Sequence, residues 1–332
     1  MNIEIKEKAN LMAENYKELK GNFKWDTGIL KHFCAMMHAV RGERVNADKI
    51  KEIKNYIKEE TGWTSDYRGN NLLIISTLLC FEENYKSFFK SMVEVHEKMR
   101  QYGFRKSEYL PLATYTMVKD VPEEQWNCKL QRMDEFYKGM KEKHFWLTST
   151  DDYVFAAVLA ATDLDVKETM EKVEECYKAL NEEGFWKGND LQTLSHIMAL
   201  GEESVYEKCK KANSLYNKLK NEKCKLKYSG LATLGVLTLI GGNEDQIVRE
   251  IKEVNDFIYE KDGYGMWSLD KSMRTILSAN LVCDFYIDEM KKGVLKVALA
   301  NSINAIIIAQ EQAAIAACIA ASAAAASSSS SS

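Results

Sequence analysis

A period of about forty residues, running through most of the chain, constrains this sequence more than anything else in it. Short phrases recur: Lys20-Gly21-Asn22-Phe23, Thr61-Gly62-Trp63, Tyr102-Gly103-Phe104, Lys143-His144-Phe145, Glu183-Gly184-Phe185, Glu222-Lys223-Cys224 and Asp262-Gly263-Tyr264. Their last residues lie 40, 41, 41, 40, 39 and 40 positions apart. A near-constant spacing of that size is the signature of stacked helical hairpins. Only two prolines occur in 332 residues, too few for a turn-rich β architecture.

The segment before each phrase is amphipathic. Its apolar residues step by four and three: Tyr85, Phe89, Met92, His96, Met99; Trp126, Leu130, Met133, Tyr137, Met140; Val166, Met170, Val173, Tyr177, Leu180; Val205, Cys209, Ala212, Tyr216, Leu219. That spacing makes one inward stripe on a helix, with Lys and Glu on the remaining faces. Ile5, Ala9, Met12, Tyr16 and Leu19 begin the series; Ile50, Ile53 and Ile57 continue it, and Ile247, Ile251, Val254 and Ile258 end it. The segment after each phrase is different, nearly uncharged over Asn71 to Phe81, Tyr109 to Val118, Tyr153 to Thr162, Leu191 to Leu200 and Tyr228 to Gly242. Such runs are too short to cross a bilayer, so protein must cover them on every side. Asp120-Val121-Pro122-Glu123 and Asp165-Val166-Lys167-Glu168 read as capping boxes that start the next amphipathic helix.

One helix buried and one half exposed per repeat implies two concentric layers. The expected fold is all-α: seven hairpins of about forty residues forming a curved or closed α/α superhelix over 1–290. An apolar C-terminal helix over 291–320 and a disordered Ala/Ser tail over 321–332 follow. In the C-terminal helix Ile303, Ile307, Ile315 and Ile319 fall at helical spacing, and Gln310, Glu311 and Gln312 argue against a membrane span. That helix is expected to dock within its own chain.

The Gly-aromatic phrase followed by an apolar helix, best seen in Glu182-Glu183-Gly184-Phe185-Trp186 before Leu191 to Leu200, resembles the repeats of α/α toroids such as protein prenyltransferases and terpenoid cyclases. Seven hairpins also resemble lanthionine cyclases. The cyclases' Asp-x-Asp-Asp motif, the prenyltransferases' Asp-x-Cys zinc motif and a Cys/His ligand set are all absent from the sequence. Taken whole, the chain is similar to a functionally uncharacterised bacterial domain-of-unknown-function family, a resemblance that supplies no chemistry.

Five tryptophans, Trp25, Trp63, Trp146, Trp186 and Trp267, lie within three residues of a junction between amphipathic and apolar helix. In a regular array those junctions share one rim. Each aromatic there either staples its loop to the next hairpin or is offered to a ligand. Asp26, Asp66, Asp151, Asp152, Asp190 and Asp270 start the apolar helices at the same rim, where an N-cap is needed. Paired carboxylates facing a lumen would alternatively suit acid–base work on glycosides, with Asp151 and Asp152 the leading pair. His96 shares a register with Tyr137, Tyr177 and Tyr216 and reads as a core aromatic substitute, so that His96→Tyr should be tolerated. His32 and His38 point to different helix faces and form no metal clip. His38 and His196 sit on inner helices and could converge in a lumen. Gly241-Gly242-Asn243 is a tight turn, and no phosphate-binding glycine loop occurs.

Balanced charge, 45 basic against 49 acidic residues, argues against nucleic acid as a partner. Eight dilute cysteines without a Cys-x-x-Cys pair read as reduced thiols in a cytoplasmic protein that needs no cofactor or metal. Two functional classes follow. One is a non-enzymatic helical-repeat binding or scaffold protein that recognises a peptide or protein through its concave surface or aromatic rim. The other is a toroid enzyme acting on a glycan or lipid-like substrate in a central cavity.

Overall fold

The computed structural model describes residues 1–240 and 242–291, together with Ile315 and Ile319. Among the described residues there are fourteen α-helices and no strand. The amphipathic helices are α1 (Ile3–Asn22), α3 (Ala47–Glu60), α5 (Tyr85–Gln101), α7 (Trp126–Lys143), α9 (Val166–Glu182), α11 (Val205–Asn221) and α13 (Glu244–Tyr259). Alternating with them are α2 (Gly28–Val40), α4 (Asn70–Leu79), α6 (Leu110–Asp120), α8 (Asp152–Ala161), α10 (Asn189–Met198), α12 (Gly230–Leu239) and α14 (Lys271–Lys291).

The two sets pack as two circles. Each even-numbered helix touches the next even one, and α14 returns to α2; each odd one touches the next odd one, and α13 returns to α1. The even helices lie inside: all ten residues of α12, and nine of ten in both α4 and α8, are buried. The odd helices bury the expected stripe and expose the rest, as in α5 with Phe89, Met92, His96 and Met99. Tyr264 locks the closure: its hydroxyl donates to the Met12 carbonyl (3.3 Å), and its ring meets Tyr16 and His32. Lys8 on α1 pairs with Asp284 and Asp288 on α14 (2.6 and 3.3 Å).

Capping separates the sets as well. Asn2, Asn46, Asn84, Asp165, Ser204 and Asn243 each accept a backbone N–H at the start of an odd helix, satisfying donors the helix cannot pair internally. Asp120 corrects one sequence expectation: it ends α6, and α7 begins after a short 3-10 turn at Glu123–Gln125 with no side-chain cap. Ile315 and Ile319 are helical and fully buried in the core, whereas Ile303 and Ile307, and the Ala/Ser tail, lie outside the described residues. No described helix is long and apolar enough to cross a membrane.

Candidate functional site

The loops that lead from an odd helix to the next even one explain the recurring phrase. In Glu183-Gly184-Phe185, Gly184 takes a left-handed φ of 98°, Gly184 N–H donates to Asn181 O (3.0 Å), and Phe185 N–H reaches back to Leu180 O (3.1 Å). This is the helix C-terminal motif in which glycine is favoured because a Cβ there is strained. In the third, fifth and seventh loops the following aromatic then inserts against the neighbouring hairpin, whereas Trp63 and Phe145, which end the second and fourth phrases, are exposed. Phe185 packs on Tyr216, Phe104 on Tyr137 and Tyr153, and Tyr264 on Tyr16 of the first hairpin. The stripe register shared by Tyr16, His96, Tyr137, Tyr177 and Tyr216 is therefore the socket for the preceding loop. In the sixth loop Lys223 occupies the glycine place and carries φ 58°, while Cys224 N–H keeps the bond to Leu219 O (2.8 Å).

The stapling is done by these buried residues and not by the tryptophans. Trp25, Trp63, Trp146, Trp186 and Trp267 are between 91% and 100% exposed, whereas Trp126, at the start of α7, is 4% exposed. Tyr102 and Tyr228, in the third and sixth loops, are also exposed. Each of the seven loops from an odd to an even helix thus presents an aromatic ring to water, and because every hairpin is antiparallel these loops share one end of the ring. The last turns of the odd helices add Lys20, Lys58, Arg100, Lys141, Lys143, Lys218 and Lys220 at this end. The return loops at the other end carry nine acidic and two basic side chains, against nine of each in the loops of the aromatic end. That polarity follows the helix dipoles of the outer circle.

A cleft of about 650 Å³ opens at the aromatic end between the fifth and sixth loops, with Trp186 and Tyr228 among its walls. Lys187, Lys220, Lys225 and Lys227 surround it, with Asp190, Glu183, Asn213 and Asn217 between them. Glu183 is engaged by the Asn213 amide (2.6 Å), and the Lys225 ammonium lies over the Tyr216 ring.

The rim aspartates are not a set of caps. Only Asp270 accepts two backbone N–H groups at a helix start (2.8 and 3.1 Å). Asp26 pairs with Lys54 (2.8 Å). Asp66 is bonded to His96 Nε2 (3.0 Å), both side chains being nearly sealed from water. Burial alone would raise the Asp66 carboxyl, but the hydrogen bond and charge of His96, with backbone hydrogen bonds, hold it below the ordinary range. His96 is therefore a polar partner as well as a ring in the socket; a tyrosine there would offer Asp66 a phenol O–H but no positive charge.

Asp151, Asp152 and Asp190 do come together. Asp151 takes the Ser149 hydroxyl (2.6 Å) and Asp152 the Ser149 N–H (2.9 Å). Burial, then the Asp151 charge, pushes the Asp152 carboxyl up to about 8; the same two causes raise Asp190. His196 Nδ1 stands 3.8 Å from Asp152 Oδ1, too far for a hydrogen bond, and burial, then His144, hold the imidazole down to about 3. Both shifts favour the uncharged forms, a protonated carboxyl beside a neutral ring. Asp152 and His196 are 3% and 1% exposed, so no external substrate reaches the proton they hold.

His38 lies elsewhere: it packs on Phe81 beside Arg41 and, chiefly through burial, is held down to about 4. Its helix α2 packs on α1, α4 and α14, while α10 packs on α8, α9 and α12, so His38 and His196 form no common site. Among the described residues no group of three His, Cys, Asp or Glu is placed to hold a metal ion. The sequence flagged every rim tryptophan but not the lysines of the cleft, which only the adjacency of two loops brings together.

The uncharacterised protein YeaA of Bacillus subtilis (strain 168) is similar to this chain, 25% identical over 320 residues covering 93% of each chain. No solved structure matches. The family model described as "Protein of unknown function (DUF4003)" matches residues 15–312, and the chain belongs to that family.

Proposed function

We propose that this protein is a helical scaffold of the α/α-toroid type whose aromatic end docks a peptide or protein partner. One observation carries the reading: five tryptophans, more than 90% exposed, stand at the end where the loops from outer to inner helices meet. A tryptophan left in water forgoes about 1.5–3 kcal/mol of burial, and the fold has separate residues for stapling the same loops. Tryptophan is enriched among the residues that dominate protein-interface energetics. The inner helices, buried on all sides, and the buried Ile315 and Ile319 argue against an open catalytic cavity, and the sealed state of Asp152 and His196 argues the same way.

The test is a comparison of the intact chain with a variant carrying Trp25→Ser, Trp63→Ser, Trp146→Ser, Trp186→Ser and Trp267→Ser. Both should show the same circular dichroism and melting temperature. A partner captured by the first and lost by the second is the expected result. Capture that is indifferent to these five substitutions would place the interface elsewhere.

A further inference from the structure

We infer that the cleft between the fifth and sixth loops binds an extended acidic peptide segment bearing aromatic or large apolar side chains. The inference rests on the reading of the aromatic end as a docking surface and specifies what docks there. Trp186 and Tyr228 wall the cleft with rings that are 92% and 73% exposed. Lys187, Lys220 and Lys227 line it with no carboxylate paired to them among the described residues, and the Lys225 ammonium lies over the Tyr216 ring. Two carboxylates are present, Glu183, bonded to Asn213, and Asp190, against four lysines, so the cleft carries an excess of positive charge. Three unpaired ammonium groups beside two exposed rings are complementary to an anionic chain with apolar side chains.

The backbone adds a separate observation. Tyr228 has φ 50°, a region that bulky side chains avoid. Lys223, with the same sign of φ, is explained by the helix C-terminal motif, but Tyr228 is not. Strained residues cluster where a ligand is clamped, and here the strain sets an aromatic ring at the mouth of the cleft.

The repeat geometry selects an extended chain over a compact anion. Neighbouring packed helices stand about 8–10 Å apart, and an extended peptide advances about 3.3–3.6 Å per residue. One aromatic loop per hairpin therefore matches about every third residue of an extended ligand; Trp146 and Trp267 are the exposed rings of the fourth and seventh loops, which flank these two in chain order. The protein's own residues 292–332 are unsuited to the cleft by charge, with two lysines against one glutamate.

The experiment is fluorescence anisotropy on the full chain with three labelled dodecapeptides, repeats of Asp-Phe-Glu, Ser-Phe-Thr and Lys-Phe-Arg. The acidic peptide should bind at least about tenfold more tightly than the neutral one and weaken as salt is added. Combined Lys220→Glu, Lys225→Glu and Lys227→Glu should abolish that preference. Lys220→Gln with Lys227→Gln, chosen to leave folding intact as checked by circular dichroism, should reduce it. Trp186→Ala should weaken all three peptides alike. Equal binding of acidic and neutral peptides, no binding of any peptide, or full affinity in the lysine variants overturns the inference. So does binding of adenosine monophosphate, of phosphatidylglycerol vesicles or of a second copy of the chain where the acidic peptide fails. If the peptides fail while partner capture still depends on the five tryptophans, the docking surface stands and only its assigned chemistry falls.

Discussion

The two ends of the helical ring treat tryptophan in opposite ways. At the end where inner helices hand over to outer ones, Trp126 is buried, its indole N–H donates to the Val121 carbonyl (3.0 Å), and the Lys98 ammonium lies over its ring. At the other end five tryptophans touch little but water, although each loop there contains a smaller residue that does the packing. The same side chain is thus a structural anchor at one end and a surface feature at the other. What separates them is whether the neighbouring hairpin offers a socket: the stripe register of Tyr137, Tyr177 and Tyr216 is filled by the staple residue of the preceding loop, leaving the adjacent tryptophan no place inside.

The largest test of that contrast is Trp126→Ala, which should cost about 3–5 kcal/mol, as large-to-small changes in a core do. Trp186→Ala should leave stability within about 0.5 kcal/mol, as expected for an exposed position. Chemical denaturation of the two variants reads both values directly, and a cost above 1 kcal/mol for Trp186→Ala would mean that it packs on something.

The Asp66–His96 pair sharpens the comparison, because it belongs to the aromatic end yet is sealed. His96→Phe preserves a ring in the socket and strands the carboxylate. A loss of about 3 kcal/mol is expected from breaking a buried pair by one partner, and His96→Gln should recover part of it. The Asp66 carboxyl lies below its ordinary range in the folded state, so the stability it supplies is complete above about pH 4 and is lost as pH falls below that. If His96→Phe were as stable as the parent, the ring alone would matter.

The buried imidazoles predict a third effect. His32, His38 and His196 are held down to about 3, 4 and 3, chiefly by burial, against an ordinary value of about 6.5. The unfolded chain takes up protons that the folded chain refuses, so stability is complete above about pH 6.5 and falls as pH drops toward 4, by up to about 1.4 kcal/mol per pH unit for each ring. Asp152, raised to about 8, has the opposite sign: its contribution is complete below about pH 4 and is lost as pH rises toward 8. Melting temperature should therefore fall on acidification from pH 7 to 5, and Asp152→Asn should stabilise more at pH 8 than at pH 5. A melting temperature flat over that range contradicts the burial of these groups.

The smallest effect is a gain. Lys223 stands where the third, fifth and seventh loops have Gly103, Gly184 and Gly263, and it carries their positive φ. Lys223→Gly should stabilise by about 1 kcal/mol, the penalty for a Cβ in the left-handed region, with no change at the aromatic end. A destabilisation would show that the lysine side chain contributes more than its backbone strain takes away.

The forty-residue period, the amphipathic stripes and the uncharged inner segments made the all-helical fold and its seven hairpins legible, because they are local: a helix buries the face that its own spacing defines. The exposed tryptophans could be located by position but not judged, since Phe185 and Trp186 are adjacent and equally apolar. Which of the two enters the socket depends on the direction that the helix C-terminal turn gives each side chain. Likewise Asp66 and His96 are thirty residues apart, and the lysines of the cleft come from two repeats. Periodicity along one chain determines which surfaces must be covered. Only the closure of that chain into a ring decides which groups meet, because burial, charge pairing and pKa are set by neighbours that the sequence keeps far apart.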